Sequence, residues 1–251
     1  MSESRTLNSS IGSVRIVTAG DPGSAKTAVI VLHQAGGLGS QVEQSVDRFA
    51  ASGAFAVGPD LFHRKDLGPD FNPMEQFGGD LEAFSAWLEG SDALLETLTA
   101  ILDYLEGLGF HRSNIGVVGY SYGGWTAFLA AVSFRLGAAV TWYGNGIGAK
   151  SFGTNEGLPG LLDRVADLQT PWLGLYGELD FLLAPGELDA LSAALSQADV
   201  DADIVSYETV GHAFDEAAPP MPGAPAYDEA IVQDARAREA AWLSAHVVPR
   251  D

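Results

Sequence analysis

The chain has 251 residues, 47% of them hydrophobic, which is enough for a sizeable core, and we expect one domain over residues 1–251. The 33 acidic and 13 basic side chains give a formal net charge of −20, so nucleic acids and anionic membranes would be repelled. Cysteine is absent, which excludes disulfides, thiolate nucleophiles and cysteine-ligated metals.

The amino-terminal residues show no basic segment followed by an apolar stretch, and no run of about 18 apolar residues occurs anywhere. We therefore expect a soluble cytoplasmic protein. Its acidic surface fits either a high-salt habitat or an ordinary soluble acidic protein, because net charge bears on solubility rather than fold.

Apolar strand-like runs alternate with helical patterns along the whole chain, which predicts a mostly parallel, doubly wound α/β sheet in three layers. An edge strand is predicted at 14–17. The continuous apolar run 28–32 predicts a strand that is buried on both faces. The spacing of Ser40 and Glu43 is that of a capping box, so a helix is predicted from about 40 to Gly53.

Later elements follow the same alternation. Glycine and proline break residues 65–90 into loop and one short helix, and the glycine-rich stretch 144–160 is predicted to lie on the surface. An amphipathic stripe beginning at Leu94 predicts a helix that ends at Gly107. The remaining predicted strands are 55–57, 115–118, 138–143, 172–176 and 204–207, and the remaining predicted helices are 125–132, 185–195 and 227–246.

The strand at 115–118 leads directly into Gly119-Tyr-Ser-Tyr-Gly-Gly124, and a helix-forming run follows. A serine at the apex of such a strand-turn-helix junction projects its hydroxyl from the carboxyl edge of the sheet, and the flanking glycines let strand and helix pass closely. The pattern Gly-x-Ser-x-Gly is weak by itself, since both residue types are frequent here. With its context it makes Ser121 the candidate nucleophile, the alternative being an ordinary turn residue.

A serine hydroxyl is a poor nucleophile unless a base takes its proton. His212 follows the last predicted strand and Asp180 follows the preceding one, and both loops should share the carboxyl edge with Ser121. The order serine, aspartate, histidine is that of the α/β-hydrolase triad. Three other acids are close enough in sequence to compete for the role of Asp180, namely Glu178, Asp201 and Asp203.

Acyl transfer also needs hydrogen-bond donors for the developing oxyanion. The backbone N–H of Tyr122, at the start of the helix, is one candidate, and the second is expected from Ala35, or else Gln34, in the small loop after the strand at 28–32. No metal and no cofactor are predicted, because the other four histidines lack the pairing and the surrounding carboxylates of a metal site. These histidines are His33, His63, His111 and His246.

Six segments together resemble the dienelactone hydrolase family of α/β-hydrolases, and they occur in that family's order across most of the chain. The piece Pro59-Asp-Leu-Phe-His-Arg64 is the one that singles out this family. The resemblance implies an α/β-hydrolase fold without a separate lid domain, and activity on small esters or lactones. The segments are 31–37, 58–64, 118–124, 142–146, 177–180 and 211–214.

The chain departs from the family pattern at three positions. Family members typically carry a cysteine nucleophile where this chain has Ser121, and a glutamate where it has Gln34. Glutamine cannot take a proton, so activation should fall wholly to His212. The resemblance also implies that Arg64 binds a substrate carboxylate, yet the second arginine of such a clamp is replaced by Glu216.

The sequence therefore predicts a serine hydrolase that cleaves a small ester or lactone through an acyl-enzyme, as a monomer or homodimer. A thioesterase or peptidase with the same triad, and a ligand-binding protein without turnover, are the alternatives. The loops 65–80 and 145–160 are expected to control access. Aromatic side chains near the motifs, Phe62, Tyr122, Phe181 and Phe214, are expected to line the cleft; the predicted substrate contacts are Gln34, Phe62, Arg64, Phe181 and Phe214.

Overall fold

The computed structural model describes residues 1–65, 67, 76–78, 80–148, 158–217 and 225–251. Most of the two loops predicted to control access, 65–80 and 145–160, lies outside the described residues. Among the described residues, no helix is both long enough and apolar enough to cross a bilayer.

Within these residues, eight strands form one sheet in the order β1-β2-β4-β3-β5-β6-β7-β8. The pairs β1·β2 and β2·β4 are antiparallel, and the other neighbours are parallel, so the predicted mostly parallel sheet is confirmed. The strands are β1 (Glu3–Ser9), β2 (Gly12–Ala19), β3 (Ala28–Leu32), β4 (Phe55–Pro59), β5 (Ile115–Tyr120), β6 (Ala138–Trp142), β7 (Trp172–Gly177) and β8 (Ala202–Tyr207).

The prediction that 14–17 is an edge strand is wrong, because β2 has β1 on one side and β4 on the other. The outer strand β1 was missed in the sequence. Its residues are mostly exposed on both faces, so it lacks the alternation of polar and apolar side chains that marks a half-buried strand.

Helices cover both faces of the sheet, which confirms the three layers. The apolar residues of α3 and α4 pack into one core cluster, while Val46 of α1 and Val232 of α6 belong to the cluster on the opposite face. No separate lid domain occurs in the described part of the chain. The helices are α1 (Ser40–Ala51), α2 (Leu81–Trp87), α3 (Ser91–Gly107), α4 (Tyr122–Ser133), α5 (Glu187–Leu195) and α6 (Glu229–His246).

Two local predictions need correction. Helix α1 has Gly39 at its N-cap and no side-chain cap, because Ser40 already lies inside the first turn, so the capping box is absent. The start of the glycine-rich stretch, residues 144–148, is mostly buried rather than on the surface. Its backbone stays hydrogen bonded because Glu187 Oε1 accepts from the N–H groups of Gly146 (2.6 Å) and Gly148 (3.3 Å).

The central strands bring the candidate site together. Strands β3 and β5 are buried along their whole length and are parallel neighbours, with Leu32 opposite Gly119. The loop after β3 and the turn after β5 therefore begin side by side at the carboxyl edge.

Candidate active site

Ser121 lies at the junction of β5 and α4 with φ 52° and ψ −115°. The junction is too tight for side chains at its glycines. A Cβ on Gly119 would lie 1.9 Å from the carbonyl oxygen of Gly123, and one on Gly123 would lie 2.2 Å from that of Leu32. The glycines predicted to let strand and helix pass are thus required by backbone contact, and the turn holds the Ser121 side chain at the sheet edge.

The structure brings the three predicted triad residues into one hydrogen-bonded chain. Ser121 Oγ lies 2.9 Å from His212 Nε2, and His212 Nδ1 lies 2.8 Å from Asp180 Oδ2. The second oxygen of Asp180 accepts from the backbone N–H of Leu182 at 2.8 Å. Since the Asp180 carboxylate is buried and accepts on both oxygens, it fixes the imidazole with Nδ1 protonated and Nε2 facing the serine.

The three other candidate acids contact groups other than His212. Glu178 Oε1 accepts from the Ser206 hydroxyl at 2.8 Å on the exposed side of β8. Asp201 lies at the opposite edge, just before β8 begins, and its carboxylate is 3.1 Å from His246 Nε2. Asp203 accepts from the adjacent Ile204 N–H at 2.8 Å. Asp180 is therefore the one of the four predicted acids that contacts His212.

Backbone strain is concentrated around the same histidine. Among the described residues, the non-glycine positions with positive φ are Ser121, Tyr143 (39°) and Ala213 (54°). Tyr143 follows β6, and its ring meets the His212 ring edge to face with centroids 5.0 Å apart. Such conformations cost of order 1–3 kcal/mol each and persist where the surroundings hold them, typically at functional sites.

Hydrogen bonds in the loop after β3 set the direction of the predicted oxyanion donor, the N–H of Ala35. Nε2 of the buried His33 accepts from the Leu61 N–H at 2.8 Å, so Nδ1 carries the proton and donates to the Gln34 carbonyl at 2.7 Å. The same carbonyl accepts from Gly37 N–H at 3.0 Å. Because a trans peptide is planar, fixing this carbonyl turns the N–H of Ala35 in the opposite direction.

The other predicted donor, the N–H of Tyr122, belongs to the first residue of α4. An N–H group in the first turn of a helix has no acceptor within that helix, and the helix dipole adds positive potential there. The Tyr122 side chain is turned away into the core, where its hydroxyl donates to the Glu89 carbonyl at 2.8 Å.

One hydrogen bond joins the loop of the proposed oxyanion donor to the histidine loop. Gln34 Nε2 donates to Glu216 Oε1 at 2.8 Å. Burial raises the pKa of Glu216 and the neighbouring Asp215 raises it further, while Gln34 and His212 oppose the shift. Burial also raises the pKa of Asp215, whose carboxylate accepts from the Tyr143 hydroxyl at 2.5 Å. Two carboxyl groups thus stand at this end of the site.

The predicted aromatic contacts divide into two groups. Phe181 is 52% exposed, and its ring centroid lies 6.1 Å from that of His212, so it is placed where a substrate could touch it. Phe62 is 1% exposed among His33, Trp87 and Tyr122. Its burial favours core packing over the predicted substrate contact.

The burial of Phe214, like that of Phe62, favours core packing over the predicted substrate contact. Phe214 is 5% exposed and packs against Trp142, Tyr143 and Tyr207. Tyr143 is not among the aromatic residues expected from the sequence to line the cleft, yet the structure sets its ring against His212. Its position directly after β6, at the carboxyl edge beside β5, is the signal that could have found it.

Arg64, the predicted carboxylate contact, is held by α3. Its Nη2 donates to Glu96 Oε2 and its Nη1 to Thr97 Oγ1, both at 2.9 Å. A substrate carboxylate would have to displace these partners. Within the described residues, no group of three or more histidine, aspartate or glutamate side chains is arranged to hold a metal ion.

Comparison with known proteins places this chain in a family. The model of the dienelactone hydrolase family matches residues 14–247. A Yersinia pestis protein provisionally named carboxymethylenebutenolidase is 28% identical over 221 residues, which cover 88% of this chain and 78% of the relative. Carboxymethylenebutenolidase of Pseudomonas putida is 26% identical over 78% of each chain.

A solved structure agrees with these sequence matches. A Klebsiella pneumoniae protein provisionally described as a dienelactone hydrolase superposes with a TM-score of 0.81. It covers 97% of this chain and 98% of its own, at 23% identity. This likeness shows the α/β-hydrolase fold.

Proposed function

The chain belongs to the dienelactone hydrolase family and is a hydrolase of ester or lactone bonds, and from that premise we propose that it cleaves a small carboxylic ester or lactone through a Ser121 acyl-enzyme. One observation carries the proposal, namely the continuous hydrogen-bonded chain from Ser121 through His212 to Asp180. A serine so placed can lose its proton as it attacks a carbonyl carbon.

In the proposed mechanism, His212 Nε2 takes the hydroxyl proton as Ser121 Oγ bonds to the acyl carbon. The N–H groups of Tyr122 and Ala35 stabilise the oxyanion, and each such donor is typically worth about 10²–10³ in rate. His212 then protonates the leaving oxygen as its bond to the acyl carbon breaks. His212 next takes a proton from a water molecule as its oxygen bonds to the acyl carbon, and returns that proton to Ser121 Oγ as the bond from Oγ to the acyl carbon breaks and the acid leaves. Asp180 stabilises the imidazolium in both steps.

His212 is proposed to be the only base. Gln34, which stands where the resemblance expects a glutamate, is an amide that donates to Glu216 and cannot accept a proton. A ligand-binding protein without turnover is disfavoured because such a protein would not need the serine, histidine and aspartate to be mutually hydrogen bonded.

A fluorophosphonate probe tests the nucleophile directly. We expect intact-mass analysis to find one adduct per chain and peptide mapping to place it on Ser121, since Ser121 Oγ is hydrogen bonded to a base. The adduct should be absent from the Ser121→Ala variant. An adduct that forms equally well on that variant would refute the assignment.

The charge around the site favours a neutral acyl group. Glu216 and Asp215 stand close to His212, and the cation expected from the resemblance, Arg64, is paired with Glu96. A carboxylate on the acyl side would approach these acids at short range, where salt screens little. We propose that the enzyme discriminates against substrates that carry one.

Reversing the charge of Glu216 tests this selectivity. The ratio of kcat/KM for a neutral short-chain ester to that for its carboxylate-bearing analogue should exceed one, and Glu216→Arg should reduce it about tenfold, or roughly 1.4 kcal/mol. Glu208→Arg makes the same change of charge at an exposed position of the same loop and should alter the ratio less than twofold. A wild-type preference for the carboxylate analogue at both low and high salt would contradict the proposal.

A further inference from the structure

An ion pair with one fully buried partner lies beneath the active-site turn, on the face of the sheet that α1 and α6 cover. Glu239 of α6 is fully buried, and its Oε1 accepts from Arg48 Nη1 of α1 at 2.6 Å. The Arg48 guanidinium also lies 4.3 Å from the ring centroid of Phe49. Burying the Glu239 carboxylate is costly, and pairing it often adds no net stability. The other groups that Arg48 and Glu239 contact therefore indicate what the pair does.

Each partner of the ion pair also holds one residue of the strands that carry the site. Glu239 Oε2 accepts from the indole N–H of Trp142 at 2.7 Å. Arg48 Nη2 donates to the hydroxyl of Tyr120 at 3.1 Å, and Ser45 Oγ lies 3.2 Å from the same hydroxyl. Tyr120 and Trp142 end the adjacent strands β5 and β6, where they are register partners.

These two residues fix the backbone of Ser121 from both sides. Tyr120 is bonded to it directly, and the carbonyl of Trp142 accepts its N–H at 2.9 Å. A residue with φ 52° keeps that conformation only if its neighbours impose it. Trp142 also precedes Tyr143, whose ring packs against His212.

We infer that the Arg48–Glu239 pair is a positioning device for the nucleophile, acting through Tyr120 and Trp142 on the direction of the Ser121 hydroxyl. The inference rests on the proposed function. None of these four side chains touches the reacting atoms. Their effect is on alignment, where a displacement of about 1 Å can cost roughly 10²-fold in rate.

The charge of Arg48 persists over the assay range. Burial by itself lowers the pKa of Arg48, but the Glu239 carboxylate and the Tyr120 hydroxyl more than offset this, and the pKa is raised above its ordinary value. The Arg48 guanidinium therefore stays protonated at any pH at which the enzyme would be assayed.

Three variants test the inference. Tyr120→Phe removes one hydroxyl and keeps the ring, whereas Trp142→Phe removes the indole N–H and also one of the two fused rings. The double variant Arg48→Met with Glu239→Met removes both charges and leaves neither unpaired. For each we expect kcat on a neutral short-chain ester to fall about tenfold, with KM within about twofold. The rate of fluorophosphonate labelling should fall by the same factor. If the double variant does not fold, the kcat and labelling rates of the two single variants test the inference.

Arg250→Met is the matched control. Arg250 also lies over an aromatic ring, 3.9 Å from the centroid of Phe110, and donates to the carbonyls of Ala25 and Leu108 at 2.9 Å, but at the opposite edge of the sheet. Its loss should lower Tm and leave kcat and the labelling rate unchanged.

Two results would overturn the inference: kcat and labelling within about twofold of wild type in the folded variants, or an equal loss of kcat in Arg250→Met. The second result would mean that general destabilisation is enough to lower the rate. Failure of the unmodified protein to be labelled would instead contradict the proposed function, so the two failures are distinguishable.

Discussion

Replacing Ser121 by alanine is expected to lower kcat for a neutral short-chain ester by roughly 10⁴- to 10⁶-fold, because without its oxygen no acyl-enzyme can form. His212→Ala should cost a similar factor. The two groups act as one unit through the 2.9 Å contact between Oγ and Nε2, so the double variant should be no worse than either single variant. Steady-state kinetics on the three proteins provide the comparison.

Contamination by a host esterase would mask losses of this size. Each preparation should therefore be titrated with the fluorophosphonate probe, and residual activity that the probe abolishes in Ser121→Ala should be assigned to the contaminant. A loss in Ser121→Ala of less than about tenfold, with chemistry rate-limiting, would contradict attack by this residue. Additive losses in the double variant would show that the two residues act independently.

Asp180→Asn is expected to lower kcat by about 10³–10⁴-fold while leaving the fold intact. The Asp180 carboxylate accepts from His212 Nδ1 at 2.8 Å and from the Leu182 N–H at 2.8 Å. An amide retains one acceptor oxygen but offers an N–H to the imidazole, which favours the tautomer with the proton on Nε2. That tautomer cannot take the proton of Ser121.

Glu178→Gln is the control for the acid. Glu178 lies two residues from Asp180, and its side chain is exposed and bonded to Ser206 instead of His212. We expect this variant to keep kcat within about twofold of wild type. Equal losses in the two variants, or a loss confined to Glu178→Gln, would show that the acid has been assigned to the wrong residue.

Much of the framework could be predicted from the sequence because its signals are local. A continuous apolar run such as 28–32 indicates a strand buried on both faces wherever it occurs. The glycines around Ser121 indicate a turn that side chains would block, and the structure shows the blocking atoms at 1.9 and 2.2 Å. The order of the elements then indicates which loops share the carboxyl edge, and so which serine, histidine and acid can meet.

Only the tertiary structure distinguished Asp180 from Glu178, since both follow β7 by a few residues and differ in the direction of their side chains. The same applies to Arg64, which is expected from the family resemblance to bind a substrate carboxylate. In the structure its guanidinium donates to Glu96 of α3. A local sequence pattern does not show which side chain of another element will hydrogen bond to a given group.

The clearest example is Glu239, which sequence reasoning did not single out. On a helix wheel it is one more charged residue of a polar, alanine-rich helix, and such residues are normally solvated. The structure buries it completely because Arg48 and Trp142, from two other elements, satisfy its oxygens. By itself, then, the sequence determined the order of the strands from β2 onward, the elbow and the candidate nucleophile and base, because backbone periodicity and turn chemistry are local. The tertiary structure decided the partners of the buried charges, because those depend on which distant residues the packing of helices against the sheet brings within hydrogen-bonding distance.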